Sequence, residues 1–195
     1  MKQSFVPNSQ FSSTAYISTM EKYKTMYEKS INKPNEFWQE QAKRITWYES
    51  WNTVSDHDFI NGSIEWFKGG KLNASYNCID RHIENGYGED IAIIWEGNNP
   101  NQSRKFTYNE LLKEVCQFSN ALKDLGVKKG DRVCLYMQMI PELAIALLAC
   151  ARIGAVHSVV FGGFSPDALK DRILDSDCQV VITADEGVRG GKAIP

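Results

Sequence analysis

RVCLYMQMIPELAIALLACARIGAVHSVVF, residues 132–161, holds the pattern that decides the fold. Arg132 to Met137 is an apolar run of strand length, Pro141 opens a helix, and Gly154 closes it. Ala155 to Phe161 is a second apolar run, so the stretch reads strand, helix, strand. Toward the carboxyl end, Ser165 is a helix cap with Pro166 at the first helical position. That helix runs to about Ser176, and Cys178 to Thr183 is a further strand. Toward the amino end, Thr107-Tyr108-Asn109-Glu110 is a capping box flanked by Phe106 and Leu111. Leu111, Val115, Phe118, Leu122 and Leu125 then form one apolar helical stripe ending at Gly126. Ile91 to Trp95 is a short apolar strand expected to be buried on both faces. Strands alternating with helices predict class α/β, a largely parallel sheet with right-handed crossovers and covering helices.

The front of the chain follows different rules. Its first ten to fifteen residues carry no periodic pattern. Tyr16, Met20, Tyr23 and Tyr27 recur at helical spacing, and Pro34 starts a second helix in an aromatic-rich stretch that continues to Trp51. Trp66 to Lys71 reads as a turn, and Ala74 to Glu84 as a short helix closed by Asn85-Gly86. Trp38, Trp47, Trp51 and Trp66 crowd this part, which predicts a core or a packing surface. The predicted organisation is a helical, aromatic-rich segment over residues 1–85 and the first part of an α/β domain over 86–195. After the last strand, Ala184 to Lys192 stands where a covering helix normally follows, so the expectation is the front of a longer protein with its sheet unfinished.

Composition excludes several classes. With 43% hydrophobic and 24% charged residues in 195, the chain can build a core and is neither disordered nor a disulfide miniprotein. A net charge of -2 gives no pull toward nucleic acid or anionic membrane. The five cysteines are widely spaced with no C-x-x-C, and His57, His82 and His157 show no paired spacing, so no metal site is expected. The cysteines read as small buried hydrophobes in a reducing compartment. The amino terminus is polar, and the longest apolar run, Leu143 to Ala151, is far short of the roughly 20 residues of a membrane helix. The expectation is a cytoplasmic protein without a membrane partner.

Two glycine loops are candidates for chemistry. Neither G-x-x-x-x-G-K-[ST] nor G-x-G-x-x-G occurs. Arg189-Gly190-Gly191-Lys192 offers two cations around two glycines just past a strand, suited to a phosphate, although a solvent-exposed glycine turn is the plainer reading of the spacing. Phe161-Gly162-Gly163 lies between a strand and a helix, where the glycines would let a flat group rest on the backbone. A tight turn with core aromatics is the plainer reading of that loop. Asp80-Arg81-His82 reads as a surface ion pair rather than a charge relay. No Ser, Cys or His has a visible triad partner.

Four longer blocks carry a resemblance: FWQEQAKRITW (37–47), WFKGGKLNASYNCIDRH (66–82), ARIGAVHSVVFGGFSPDALKDRI (151–173) and ITADEGVRGGK (182–192). From about residue 20 onward the sequence resembles the acetyl-coenzyme A synthetase family, within the adenylate-forming acyl-CoA synthetase and luciferase superfamily. The related propionyl-CoA synthetases share FGGFSP and stand second. The resemblance implies an acetate–CoA ligase acting on acetate, MgATP and CoA through an acetyl-adenylate, with the remainder of its own chain as partner. It implies that Arg189, Gly190, Gly191 and Lys192 contact the nucleotide end of CoA, with Arg189 against a phosphate, and that Phe161, Gly162 and Gly163 line the CoA adenine. Lys192 stands where many relatives carry Arg, which keeps the charge but gives up the two-pronged grip. The phosphate loop, ribose carboxylate and mobile lysine of the family have no match in these 195 residues, so no catalytic residue is assigned and the chain alone is expected to be inactive. A free-standing α/β module that binds CoA or a nucleotide without catalysis is the rival expectation.

Overall fold

The computed structural model describes residues 5–99, 101–189 and 191–194. The chain forms two compact units that divide between Lys71 and Leu72.

In the first unit, α1 (Ser9–Thr14) forms where no apolar period marks it, because the Asn8 side chain accepts from the free N–H groups of Gln10 and Phe11. Helix α2 (Met20–Asn32) is capped by Thr19, and α3 (Pro34–Ala42) is opened by Pro34. Helix α3 stops at Ala42, well short of Trp51: the Trp47 indole N–H donates to the Ala42 carbonyl at 3.0 Å and folds the chain back. Strands β1 (Thr53–Asp58) and β2 (Ser63–Lys68) then pair as an antiparallel hairpin. The expected turn at Trp66 to Lys71 is therefore corrected: the strand continues to Lys68 and only the glycines after it turn. The overlooked signal was Asn61-Gly62, a hairpin dipeptide, with Asp58 Oδ1 accepting from the Ile60 and Asn61 N–H groups at 2.9 and 3.2 Å. Four of the five tryptophans pack within this unit. Trp47, Trp51 and Phe67 form a mutual ring contact with centroids 5.0–5.4 Å apart, and Trp38 meets Trp66 edge-on at 6.1 Å.

The second unit begins with α4 (Ala74–Cys78) and α5 (Asp80–His82), followed by a wide turn over Ile83–Tyr87. The single helix expected over 74–84 is broken at Ile79, whose backbone leaves the helical region while its side chain is fully buried. Strands β3 (Ile91–Glu96) and β4 (Ser103–Thr107) form an antiparallel pair of their own. This corrects the expectation that Ile91 to Trp95 is a strand buried on both faces of the parallel sheet, since Ile91 and Ile94 are exposed. The capping box of α6 (Tyr108–Asp124) is present: Thr107 Oγ1 accepts from the Glu110 N–H at 3.2 Å, and the Glu110 carboxylate accepts from the Thr107 N–H at 2.8 Å.

From there the predicted alternation holds. Strand β5 (Arg132–Met137), α7 (Pro141–Ile153), β6 (Val156–Phe161), α8 (Pro166–Ser176) and β7 (Val180–Thr183) build a three-stranded parallel sheet in the order β6-β5-β7. The class is α/β, a parallel sheet with flanking helices. Central β5 is the core: Val133, Cys134 and Leu135 are fully buried, and Val115, Leu122, Ala146 and Ala149 of α6 and α7 join them in the core. The last carbonyls of α7 are capped from outside, because the Asn73 side chain donates to Ala151 and Arg152 at 3.2 and 3.1 Å. Past β7, where a covering helix normally follows, β8 (Gly187–Arg189) and β9 (Lys192–Ile194) pair as a short antiparallel hairpin. Of the cysteines, Cys134 and Cys150 are buried as predicted, Cys116 and Cys178 are half-buried, and Cys78 is exposed.

Candidate functional site

The register of the parallel sheet brings three strand ends to one edge. Met137 pairs with Phe161, and Tyr136 pairs with Thr183, so the loops after β5, β6 and β7 open on the same side. Carboxyl ends of parallel strands are where α/β folds bind ligands, since the loops there are free of the ladder and the helix amino termini face outward. Here those ends enclose a cleft of about 380 Å³.

One wall is the Phe161–Phe164 loop. Gly162 is required by close approach: a Cβ there would lie 3.1 Å from the Met137 carbonyl carbon and 3.2 Å from the Gln138 nitrogen. Phe161 is 56% exposed, which is unusual for a large aromatic at a strand end, and it meets the Phe164 ring edge-on at 6.3 Å. Ser165 caps α8 by accepting from the Ala168 N–H at 3.3 Å, so the helix begins directly after this loop. The Arg172 guanidinium lies over the Phe164 ring, 5.4 Å from its centroid.

The opposite wall is Thr183 to Val188, and two side chains of β5's end lie between the walls. The Tyr136 hydroxyl donates to the Phe164 carbonyl at 3.0 Å, and the Gln138 amide donates to the Glu186 carbonyl at 3.0 Å. Among the described residues lining the cleft, Glu186 is the single charged side chain. Apart from Glu186, the space is bounded by aromatic rings, small or aliphatic residues, glycine backbone and neutral polar groups, an arrangement suited to a flat heteroaromatic group.

The predicted site residues divide accordingly. Phe161, Gly162 and Gly163 line the cleft together with Gly187 and Val188, the foot of the β8–β9 hairpin. Arg189 and Lys192 face each other in the hairpin register, Lys192 is exposed, and Gly191 takes a φ of 76°, a conformation glycine adopts without strain. Gly190 and the side chain of Arg189 lie outside the described residues. Tyr136, Gln138 and Thr183 were missed as site residues. Their signal was positional: each sits at or just past the carboxyl end of a parallel strand.

Away from the cleft, Asp80, Arg152, Cys134 and Cys150 serve the fold. Asp80 and Arg152 form a two-pronged pair with oxygen–nitrogen distances of 2.6 and 2.8 Å, and that pairing holds the Arg152 guanidinium even more firmly charged than usual. Asp80 thus pairs with α7 rather than forming the local surface pair expected within Asp80-Arg81-His82. Burial pushes the Cys150 thiol up to about 11, and that of Cys134 in the same direction, which makes both poor nucleophiles at neutral pH. Among the described residues, no three His, Cys, Asp or Glu side chains are grouped to hold a metal ion, and no helix is long and apolar enough to cross a membrane.

Fold and cleft together define an α/β protein with an open cleft at the carboxyl ends of its parallel strands. Residues 80–194 match the family model of AMP-binding enzymes, so the chain belongs to the AMP-binding enzyme family. Residues 23–78 match the model of the acetyl-coenzyme A synthetase N-terminus. The chain is 62% identical over 174 residues to acetyl-coenzyme A synthetase 2 of Pseudomonas aeruginosa, which covers 89% of this chain and 27% of that protein. It is 62% identical over 176 residues to the acetyl-coenzyme A synthetase of Magnetococcus marinus, covering 90% and 27%. With that of Leptospira biflexa it shares 57% over 188 residues, covering 96% and 29%. The chain therefore spans little more than a quarter of the length of these relatives.

Proposed function

We propose that the chain supplies the amino-terminal part of an acetate–CoA ligase and that its cleft receives the nucleotide end of CoA. The observation that supports the activity best is the 57–62% identity to proteins named acetyl-coenzyme A synthetase over about nine-tenths or more of this chain. In the proposed reaction the acetate carboxylate attacks the α-phosphorus of MgATP and releases pyrophosphate. The CoA thiolate then attacks the acyl carbon of acetyl-AMP and releases AMP. Mg2+ enters as part of the nucleotide substrate.

The residues of this chain serve the second step. Phe161, Gly162 and Gly163 offer an aromatic edge and open backbone to the adenine, and Arg189, Gly190, Gly191 and Lys192 supply cations and turn backbone to the phosphates. The nearly uncharged lining of the cleft supports an adenine there, with the phosphates kept to the hairpin at its edge. Residues 1–85 would form the leading segment and 86–195 the start of the adenylation domain. Acetate, MgATP, CoA and the remainder of the polypeptide are the proposed partners, and the cytoplasm the proposed location, in keeping with the free cysteines.

The test separates the two half-reactions in an enzyme of the relatives' length that carries this sequence. Arg189→Ala is expected to raise KM for CoA roughly 10- to 100-fold, the loss of one charge-assisted hydrogen bond. Acetate-dependent ATP–pyrophosphate exchange should stay within about twofold of the parent, on the same principle that an unused contact contributes nothing to the first step. An equal loss in both half-reactions would remove Arg189 from the CoA site.

A further inference from the structure

We propose that Tyr136 and Gln138 are positioning residues for the cleft, and that the end of β5 sets the spacing of its two walls through one side-chain hydrogen bond to each. The inference rests on the CoA reading above and extends it to residues that need not touch the ligand.

Each wall has a stretch outside any strand ladder, residues 162–164 on one side and 184–186 on the other. The Phe161–Phe164 loop turns back on itself, with the Gly163 and Phe164 N–H groups both donating to the Phe161 carbonyl at 2.7 and 3.0 Å. The Gly162 N–H donates to the Met137 carbonyl at 3.3 Å and fixes where the loop begins. The Tyr136 hydroxyl fixes where it ends, by holding the Phe164 carbonyl from the central strand. The second wall is held in the same way through the Glu186 carbonyl, immediately before the hairpin that carries Arg189 and Lys192. The Gln138 amide also lies against Gly187, its atoms 3.8–4.0 Å from where a Cβ would stand.

The brace itself is anchored. Tyr136 lies within the ladder to both β6 and β7. Just past it, the Ile140 N–H donates to the Gln138 carbonyl at 2.9 Å, and the Trp95 indole N–H donates to the Met139 carbonyl at 2.9 Å. Two loops of different parentage therefore share one rigid reference. A ligand bound between them gains from that arrangement, because the ordering of the loops is completed before binding.

Tyr136→Phe and Gln138→Met remove the hydrogen bonds and keep most of the side-chain volume. Two measurements on the 195-residue chain test the proposal: amide hydrogen exchange without ligand, and calorimetry with CoA. In Tyr136→Phe, exchange should quicken at 162–165 and leave 185–188 unchanged; in Gln138→Met the pattern should reverse. Each variant should bind CoA roughly fivefold more weakly, the worth of one ordinary hydrogen bond. Quickened exchange throughout both loops and the core in either variant would show general destabilisation and overturn the proposal. So would unchanged exchange, or locally quickened exchange with unchanged CoA affinity. Failure of the parent chain to bind CoA would instead overturn the ligand assignment, and the brace would then stand or fall on the exchange pattern alone.

Discussion

Asp80 and Arg152 show how a single pair can join distant parts of a chain. Their side chains are 18% and 25% exposed, and both guanidinium nitrogens reach the carboxylate, which ties the α4–α5 segment to the end of α7. An exposed pair contributes at most about 1 kcal/mol, whereas removing one member of a fully buried pair costs about 3–5 kcal/mol. Asp80→Ala is therefore expected to destabilise the protein by roughly 2 kcal/mol, between those limits, because it leaves a partly shielded cation without its partner. Chemical denaturation would measure it, and a loss below about 0.5 kcal/mol, the ordinary surface value, would contradict this role. The pair was not legible in the sequence because its members are 72 residues apart, beyond any local period. The same limit hid Tyr136 and Gln138, whose partners lie 28 and 48 residues away. Phe161 to Gly163 was legible as a strand-to-helix turn, since glycines between a strand and a capped helix are a local signal, and its place on the cleft follows from the register.

At the scale of elements, the parallel sheet is sustained by β5. Leu135 is fully buried at its centre, pairs with Val159 on one side and Ile182 on the other, and belongs to the main apolar cluster. Leu135→Ala is expected to cost about 2–5 kcal/mol, the lost transfer energy plus the cavity left behind. Thermal or denaturant unfolding would show it, and a cost below about 1 kcal/mol would mean that the sheet is not organised around this strand. The alternation from β5 to β7 could be read in advance because strands and helices there differ in period, and Pro141, Gly154, Ser165 and Pro166 mark their ends. The hairpins were harder. Strand β2 stays mostly exposed although it carries Ile64, Trp66 and Phe67, and β4 is mostly polar, so neither reads as an ordinary half-buried strand. Strand β3 shows the converse error, an apolar run that pairs with a polar neighbour instead of entering the parallel sheet.

At the scale of the whole molecule, the two compact units carry different kinds of information. The first packs its aromatic rings in clusters and contributes none of the residues lining the cleft; the second holds the sheet, the cleft and the hairpin beside it. The family models follow a similar division, with the acetyl-coenzyme A synthetase N-terminus over residues 23–78 and the AMP-binding enzyme over 80–194. The central claim is that the cleft at the strand ends receives the nucleotide end of CoA. Titration of the isotopically labelled 195-residue chain with CoA, followed by amide resonances, tests it most directly. The prediction is that saturable shifts concentrate at 161–165 and 183–192. Saturable shifts confined to another surface, such as the groove between β4 and α6, or no shifts from a folded chain, would contradict it.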